Sequence, residues 1–408
     1  MIDHKRTGKC TCVGPLAPHI EGFVLFLVRE GYTANSVNEK RDLTLDLSRW
    51  MERHKIPLRK LDEKQLAQFR VNHRHRSSLQ RRRDMCAARQ LLQYLRDLGW
   101  VVKRRPKIER TLLGQLTNDF EHYLRSERGL SRSTLLDYPK IARQFLKDRF
   151  GDKSVQVRTL QPRDIHRFIV HHLKAGSRGQ AKRVVSALRS FLRFLRQRNK
   201  ITIDLAATVP GVADWRFSHL PRSIPQWQVE RLLASCDRKT PMGRRDYAIL
   251  LLLARLGLRA GEVAKMTLDD FDWKHGEVLV HGKGQRDARL PLPKDAGAAL
   301  VSYLRYARPE CSTRRVFIRT RAPRRSLNAS SIGDVVHRAL QRAGLNPGLK
   351  GAHLLRHSLA THLQRRGATL TEIGQLLRHT DLATTQIYAK VDIRALRAIA
   401  LPWPRGAL

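Results

Sequence analysis

The sequence predicts a mainly α-helical chain with one small β-hairpin or sheet, laid out as two tandem helical units followed by an α+β domain. Three observations carry that prediction. Apolar residues recur at helical spacing through most of the 408 residues. The first two hundred residues contain an internal repeat. Strand-like patterning is confined to Glu277–His281 and Ala288–Leu292, flanking the turn Gly282-Lys283-Gly284-Gln285-Arg286.

Residues 1–15 carry Gly, Pro and basic residues without periodicity and read as a tail. A first helical unit spans 16–105. Phe23, Phe26 and Leu27 mark one apolar face, Leu43, Leu47, Trp50 and Met51 a second, and Leu91, Leu92 and Leu95 another. A second unit, 110–202, repeats the plan. GYTANSV at 31–37 matches GLSRSTL at 129–135 with an offset of 98. LDEKQLAQF at 61–69 matches LQPRDIHRF at 160–168 with an offset of 99, and 88–101 matches 188–201 with an offset of 100. An offset that drifts in order is the mark of a duplication with two small indels. Thr33 and Ser36, with Ser131 and Thr134 in the second copy, are suited to cap the second helix of each. Basic residues (Arg81, Arg82 and Arg83; Lys182 and Arg183) open the last helix of both copies and predict a phosphate-contacting face.

Residues 203–222, with Pro210, Gly211 and Pro221, break the periodicity and read as a linker. The last domain, 223–408, opens at Pro225 with a first amphipathic helix and continues through an apolar helix from Arg245 to Leu256. After the hairpin, helices are expected at 295–307 and 330–343, several short ones across 351–391, and a last one from Asp392 to Ala400.

Lys and Arg number 79 against 36 Asp and Glu, a net charge of +43. Such an excess repels itself unless an anionic partner neutralises it, and a nucleic-acid backbone is the partner expected. The five Cys are odd in number and irregular in spacing, so neither a disulfide framework nor a closed zinc site is supported. The longest apolar run, Ala248 to Ala254, is too short to span a bilayer, and no signal-peptide core opens the chain. A reducing, cytoplasmic setting without membrane association is expected.

Neither a Walker A loop nor H-E-x-x-H is present, and the acidic residues are too scattered for a two-metal nuclease. Cleavage of a phosphodiester without metal needs a nucleophile, cations on the non-bridging oxygens and an acid for the leaving oxygen. Arg259 follows an apolar helix and faces either Glu262 or a ligand. Lys283 in its G-K-G turn is a mobile point charge suited to proton donation. His353 and Arg356, three apart, share a helix face, and His379 and Tyr388 follow. His357 and His362 read as packing or surface residues, and Thr369-x-x-Glu372 as a capping box.

GLRAGEV, HGKGQRDARLPL, HLLRHSLATHL and LLRHTDLATTQIYAKV, in that order, resemble the signature boxes of the tyrosine recombinase (phage integrase) family across roughly 112–395. The resemblance implies SAM-like DNA-binding folds for the helical units, the second being the core-binding domain, and a tyrosine recombinase catalytic domain at 223–408. It implies a site-specific DNA strand transferase, a recombinase or integrase of a mobile element, that works through a 3′-phosphotyrosine. Tyr388 would be the nucleophile, Arg259 and Arg356 the phosphate clamp, and Lys283 the proton donor. His353 and His379 would assist, and Glu262 would orient Arg259. No cofactor or metal is called for. The implied partners are double-stranded DNA and three further copies in a homotetramer on synapsed DNA, with accessory proteins as further candidates. The helix after the tyrosine would pack on a neighbour. A type IB topoisomerase and a non-enzymatic architectural DNA-binding protein are the competing classes. Two departures stand out: Ala352 replaces the family's usual Pro, and Arg378 its usual Gly before the second His. A cation at 378 would contact DNA or narrow the turn.

Overall fold

A computed structural model describes residues 13–72, 78–102, 111–130, 132–151, 154–173, 178–212, 222–282, 287–348, 351–379 and 385–391. The described residues fall into two compact units, one from Met1–Lys103 together with His219–Leu408, the other from Arg104–Ser218. The predicted class is found: a mostly helical protein with one small sheet.

The first helical module consists of α1 (Ile20–Arg29), α2 (Ala34–Arg53), α3 (Glu63–Asn72) and α4 (Ser78–Asp97). The second consists of α5 (Leu112–Ser126), α6 (Arg132–Phe150), α7 (Pro162–Leu173) and α8 (Arg178–Gln197). The repeat read in the sequence is a repeat of structure: α2 and α6 begin 98 residues apart, α3 and α7 99, and α4 and α8 100. The 3-10 turns Leu58–Lys60 and Val157–Thr159, before α3 and α7, also correspond. Each module has its own core, around Phe23, Leu47, Trp50, Met51 and Leu91 in the first and around Phe120, Phe145, Leu188, Phe191 and Phe194 in the second. Thr33 caps α2 by accepting from the Ser36 N–H at 3.4 Å; Ser131 lies outside the described residues. Of the expected tail, the described end is tied down, because Ser48 Oγ donates to Val13 O and accepts from Leu16 N–H. Within the same compact unit the Arg324 N–H donates to Glu30 O at 3.0 Å, joining α1 to a loop of the C-terminal part.

That part contains α9 (Gln226–Ala234), α10 (Pro241–Leu256), α11 (Ala260–Lys265), β1 (Phe271–Asp272), β2 (Glu277–His281), β3 (Asp287–Pro291), α12 (Lys294–Tyr306), α13 (Ala329–Arg342), α14 (Ala352–Arg365) and α15 (Leu370–Leu377), then a 3-10 turn, Gln386–Val391. The sheet is antiparallel in the order β1-β2-β3. Its two-residue β1 has no sequence signature, since period-two alternation needs more residues to be visible. His281 closes the mouth of the hairpin, one ring nitrogen 3.1 Å from Asp270 and the other 3.0 Å from Asp287. Those carboxylates raise its pKa, Asp287 first, which favours the charged ring between them. Lys283, in the turn this clasp closes, lies outside the described residues, as does the expected helix from Asp392 to Ala400. Among the described residues no helix is long and apolar enough to cross a membrane.

The apolar α10 is the spine of the main core, with Ala248 through Leu253 at most 1% exposed. It starts earlier than the apolar run suggests, at Pro241, because Thr240 caps it by accepting from the Gly243 N–H at 3.1 Å. It ends at Gly257, whose φ of 56° is left-handed. A Cβ there would also stand 2.6 Å from Leu377 Cδ2. Gly257→Ala is therefore expected to lower stability by about 1–2 kcal/mol through strain alone, and more if Leu377 cannot move. The urea midpoint of the full-length variant measures it; an unchanged midpoint would mean the turn relaxes freely.

Candidate functional site

Four chain segments converge: the α10–α11 turn, α14, the end of α15, and the 3-10 turn. Arg259 is the N-cap of α11. Its backbone N–H donates to Glu262 Oε2 at 2.8 Å and its guanidinium to Oε1 at 2.8 Å. Burial alone would raise the pKa of Glu262, but these bonds, together with Arg378 and Arg259 as cations, hold it below the usual carboxylate range.

Arg356, on α14, is only 3% exposed. Its guanidinium donates to the carbonyls of Gly257 and Leu377. These are the C-terminal ends of α10 and α15, where carbonyls lack helical partners and the helix dipole is negative. Burial, and then the neighbouring cations Arg259 and Arg378, still lower its pKa to about 10. Two guanidinium groups pair with one carboxylate, a third guanidinium, Arg356, lies close enough to feel it, and the surplus is positive. That is the electrostatic signature of an anion site.

Tyr388 is 1% exposed, in a small apolar cluster with Ala360, Ile373 and Leu377. Burial pushes its phenol up to about 12 against a smaller opposing pull from Arg356. Its hydroxyl lies 2.8 Å from His357 Nδ1, and the His379 ring stacks 6.4 Å from its own. Burial lowers the pKa of His357 to about 4, helped by His353 and Arg356. The ring is then neutral near pH 7, and its Nδ1 accepts from the tyrosine hydroxyl in the tautomer protonated at Nε2. His379 falls likewise to about 4, by burial first and then Arg356 and Arg259, and its Nδ1 is 2.7 Å from Thr385 Oγ1. His353 keeps an exposed edge, but the protein around it, then Arg356 and Arg259, lower its pKa.

Of the residues singled out in the sequence, Arg259, His353, Arg356, His379 and Tyr388 are thus brought into one neighbourhood. Two readings change. His357, expected at the surface or in packing, packs against the Tyr388 ring and meets its hydroxyl, four positions after His353 on the same face of α14, with the two imidazole centroids 6.4 Å apart. That i, i+4 spacing was the signal available in the sequence. Arg378, expected to contact DNA or narrow the turn, turns inward to Glu262 Oε2 at 2.9 Å. The expected capping box of Thr369 and Glu372 opens α15.

Comparison with known proteins places the chain in a family. Residues 222–394 match the phage integrase family and residues 117–199 the phage integrase N-terminal SAM-like domain. The integrase/recombinase y4rA of Sinorhizobium fredii is 41% identical over 399 residues, covering 97% of this chain and 96% of that protein. Tyrosine recombinase XerD of Listeria innocua is 32% identical over 294 residues, 70% of this chain and 97% of that protein. Among solved structures, XerH site-specific recombinase bound to a palindromic difH substrate superposes with a TM-score of 0.56 at 20% identity, covering 69% of this chain and 83% of that one. A lambda integrase (75–356) dimer bound to a COC′ core site gives 0.52 at 18% identity, covering 72% and 98%. The fold and these relatives define a site-specific recombinase, an enzyme of the DNA strand transferase class. The chain belongs to the phage integrase family of tyrosine recombinases.

The pKa shifts set how stability follows pH. His357 and His379, ordinarily near 6.5, fall to about 4 in the folded protein. The unfolded chain then takes up their protons first, so the stability is present above about pH 6.5 and lost as pH falls through 4. Tyr388, raised from 10 to about 12, acts in the opposite limb: its contribution is full below 10 and lost as pH climbs to 12. Between about pH 7 and 4.5 the urea midpoint should fall, and the fall should be smaller in His357→Asn. Equal falls in the two proteins would remove His357 from the acid limb.

Proposed function

We propose that this recombinase cleaves and rejoins duplex DNA by forming a 3′-phosphotyrosine at Tyr388. The observation that carries the reading is the cation surplus around Glu262 and Arg356, set beside a tyrosine hydroxyl held by a neutral histidine. Arg259 and Arg356 hold the non-bridging oxygens of the scissile phosphate. Tyr388 Oη attacks phosphorus, the bond to the 5′-oxygen breaks, and that oxygen takes a proton from Lys283. His353 and His379 assist positioning and proton transfer. The arriving phosphate charge raises the pKa of the nearby imidazoles, which makes His357 a better acceptor for the phenolic proton once DNA is bound. Ligation is the reverse, with a second 5′-hydroxyl attacking the phosphotyrosine. The link conserves the energy of the phosphodiester, so the residues named suffice without a cofactor.

The action is that of a mobile-element integrase, carried out in the cytoplasm by a homotetramer on two synapsed duplexes, with accessory proteins where the sites require them. Both helical modules contact DNA in this reading. Support comes from their exposed helix faces: Arg82, Arg83 and Cys86 on α4 stand where Lys182, Arg183 and Ser186 stand on α8, all exposed. On α2 and α6 equivalent positions have diverged, Lys40 to Tyr138, Arg41 to Pro139 and Asp42 to Lys140. Two copies that drift elsewhere yet keep cations on one face point to one kind of anionic ligand for both.

Because the target sequence is open, the test uses a pool of randomised duplexes, each with one nick that lets the cleaved strand diffuse away. The wild type should form adducts that survive SDS, Tyr388→Phe none, and Lys283→Ala should form them about 100-fold more slowly. Adducts in Tyr388→Phe would overturn the nucleophile. A second measurement addresses the first module. In a chain carrying Cys10→Ser, Cys12→Ser and Cys311→Ser, with Cys236 buried, exposed Cys86 is the maleimide target. Duplex DNA should slow its alkylation and high salt should abolish the protection; an unchanged rate would take α4 out of the DNA interface.

A further inference from the structure

We infer that Arg378 is a positioning residue for Arg259, acting through the carboxylate of Glu262. The inference rests on the reading of Arg259 as a phosphate ligand and adds a residue to it at the position where the family's usual glycine is missing.

The backbone marks the position first. Arg378 closes α15 with φ 54° and ψ 50°, a left-handed conformation that glycine adopts freely and a side chain with a Cβ does not. Among the described non-glycine residues only Lys55 and Asn199 also have positive φ, and both are exposed. Arg378 is the one of the three that is largely covered, its side chain 12% exposed. A residue kept in a strained conformation against an easier alternative points to an interaction that offsets the strain.

That interaction is with Glu262. Arg378 Nη2 donates to Glu262 Oε2 at 2.9 Å and Nη1 to Leu376 O at 3.1 Å, while its buried Nε–H finds no acceptor among the described residues. The same Oε2 accepts the Arg259 backbone N–H, and Oε1 accepts the Arg259 guanidinium. One carboxylate therefore serves two arginines on different sides. Arg259, with its side chain 39% exposed, faces outward, and Arg378 closes the inner side.

The electrostatic consequence follows. A carboxylate paired with Arg259 alone would cancel most of that guanidinium's charge and leave it a weak ligand for phosphate. With Arg378 neutralising Glu262 from the inner side, Arg259 stays oriented by its two bonds and keeps its positive charge toward the incoming anion. Arg378 Nη2 is engaged with Glu262 and Nη1 with Leu376 O, and only 12% of the side chain is exposed, so its hydrogen bonds point inward rather than to a DNA backbone. It acts on bound phosphate through Glu262 and Arg259.

The experiment compares full-length wild type, Arg378→Gly and Arg378→Lys. Glycine relieves the backbone, so Arg378→Gly should melt at or above the wild-type temperature. It should nevertheless form adducts with the nicked pool about 10-fold more slowly, less than the loss of a donor that touches the oxyanion directly. Its Kd for the pool should stay within about 2-fold, because the contact surface is untouched. Arg378→Lys should recover much of the rate, since it restores the charge. Orthovanadate, an oxyanion probe titrated without DNA, should bind Arg378→Gly about 5- to 10-fold more weakly than wild type. A wild-type rate and wild-type vanadate affinity in Arg378→Gly would overturn the inference, as would a rate loss that simply tracks a lower melting temperature. Failure of the wild type to form adducts, or adducts in Tyr388→Phe, would instead overturn the tyrosine mechanism. The vanadate comparison would still decide the role of Arg378.

Discussion

Burying the charge of Arg356 is the constraint on which the arrangement of this site depends. A guanidinium taken out of water is costly unless its donors are met and its charge offset. Here the donors are met by the last carbonyls of two helices, α10 and α15, whose negative ends point at it. Each carbonyl reaches it only because its helix stops there, α10 at a left-handed Gly257 and α15 at a left-handed Arg378. The same two terminations place Arg259 and His379 one or two residues further on. Helix ending and site assembly are one event.

The offset is incomplete, and that incompleteness is what gives the site its chemical character. Glu262 is the carboxylate that acts on Arg259, Arg356 and Arg378. An anion with several acceptor oxygens, such as a phosphodiester, fits the remaining donors and the remaining charge. Burial, and then the cation excess, depresses the imidazoles around it, while burial keeps the Tyr388 phenol protonated. In the free protein the Tyr388 phenol is therefore shielded and un-ionised, and an anion bound among these cations would shift each of these balances.

The helical modules show a related economy. Their interiors share a plan but little chemistry: the second core is rich in Phe, whereas the first leans on Trp50, Met51 and Leu. What both retain is the order of elements, down to one 3-10 turn, and the cationic opening of the last helix. Packing tolerates substitution where volume and pattern are kept. The exposed cations at Arg82, Arg83, Lys182 and Arg183 lie outside both cores.

Much of this was legible in the sequence because it is local or periodic. The fold class, the duplication, the capping box of Thr369 and Glu372, and the set Arg259, His353, Arg356, His379 and Tyr388 all follow from spacing, order or resemblance. The i, i+4 step from His353 to His357 is equally visible, but spacing alone does not show that it faces the Tyr388 hydroxyl. What the chain alone could not show is the meeting of residues far apart: Glu262 with Arg378 across 116 positions, and Arg356 with the carbonyl of Gly257 across 99. Nor could it show that Arg378 would accept a left-handed backbone. Side-chain pattern reports which face of a helix is apolar. Where two helices end against a third, and which charges then share one carboxylate, is decided by tertiary packing.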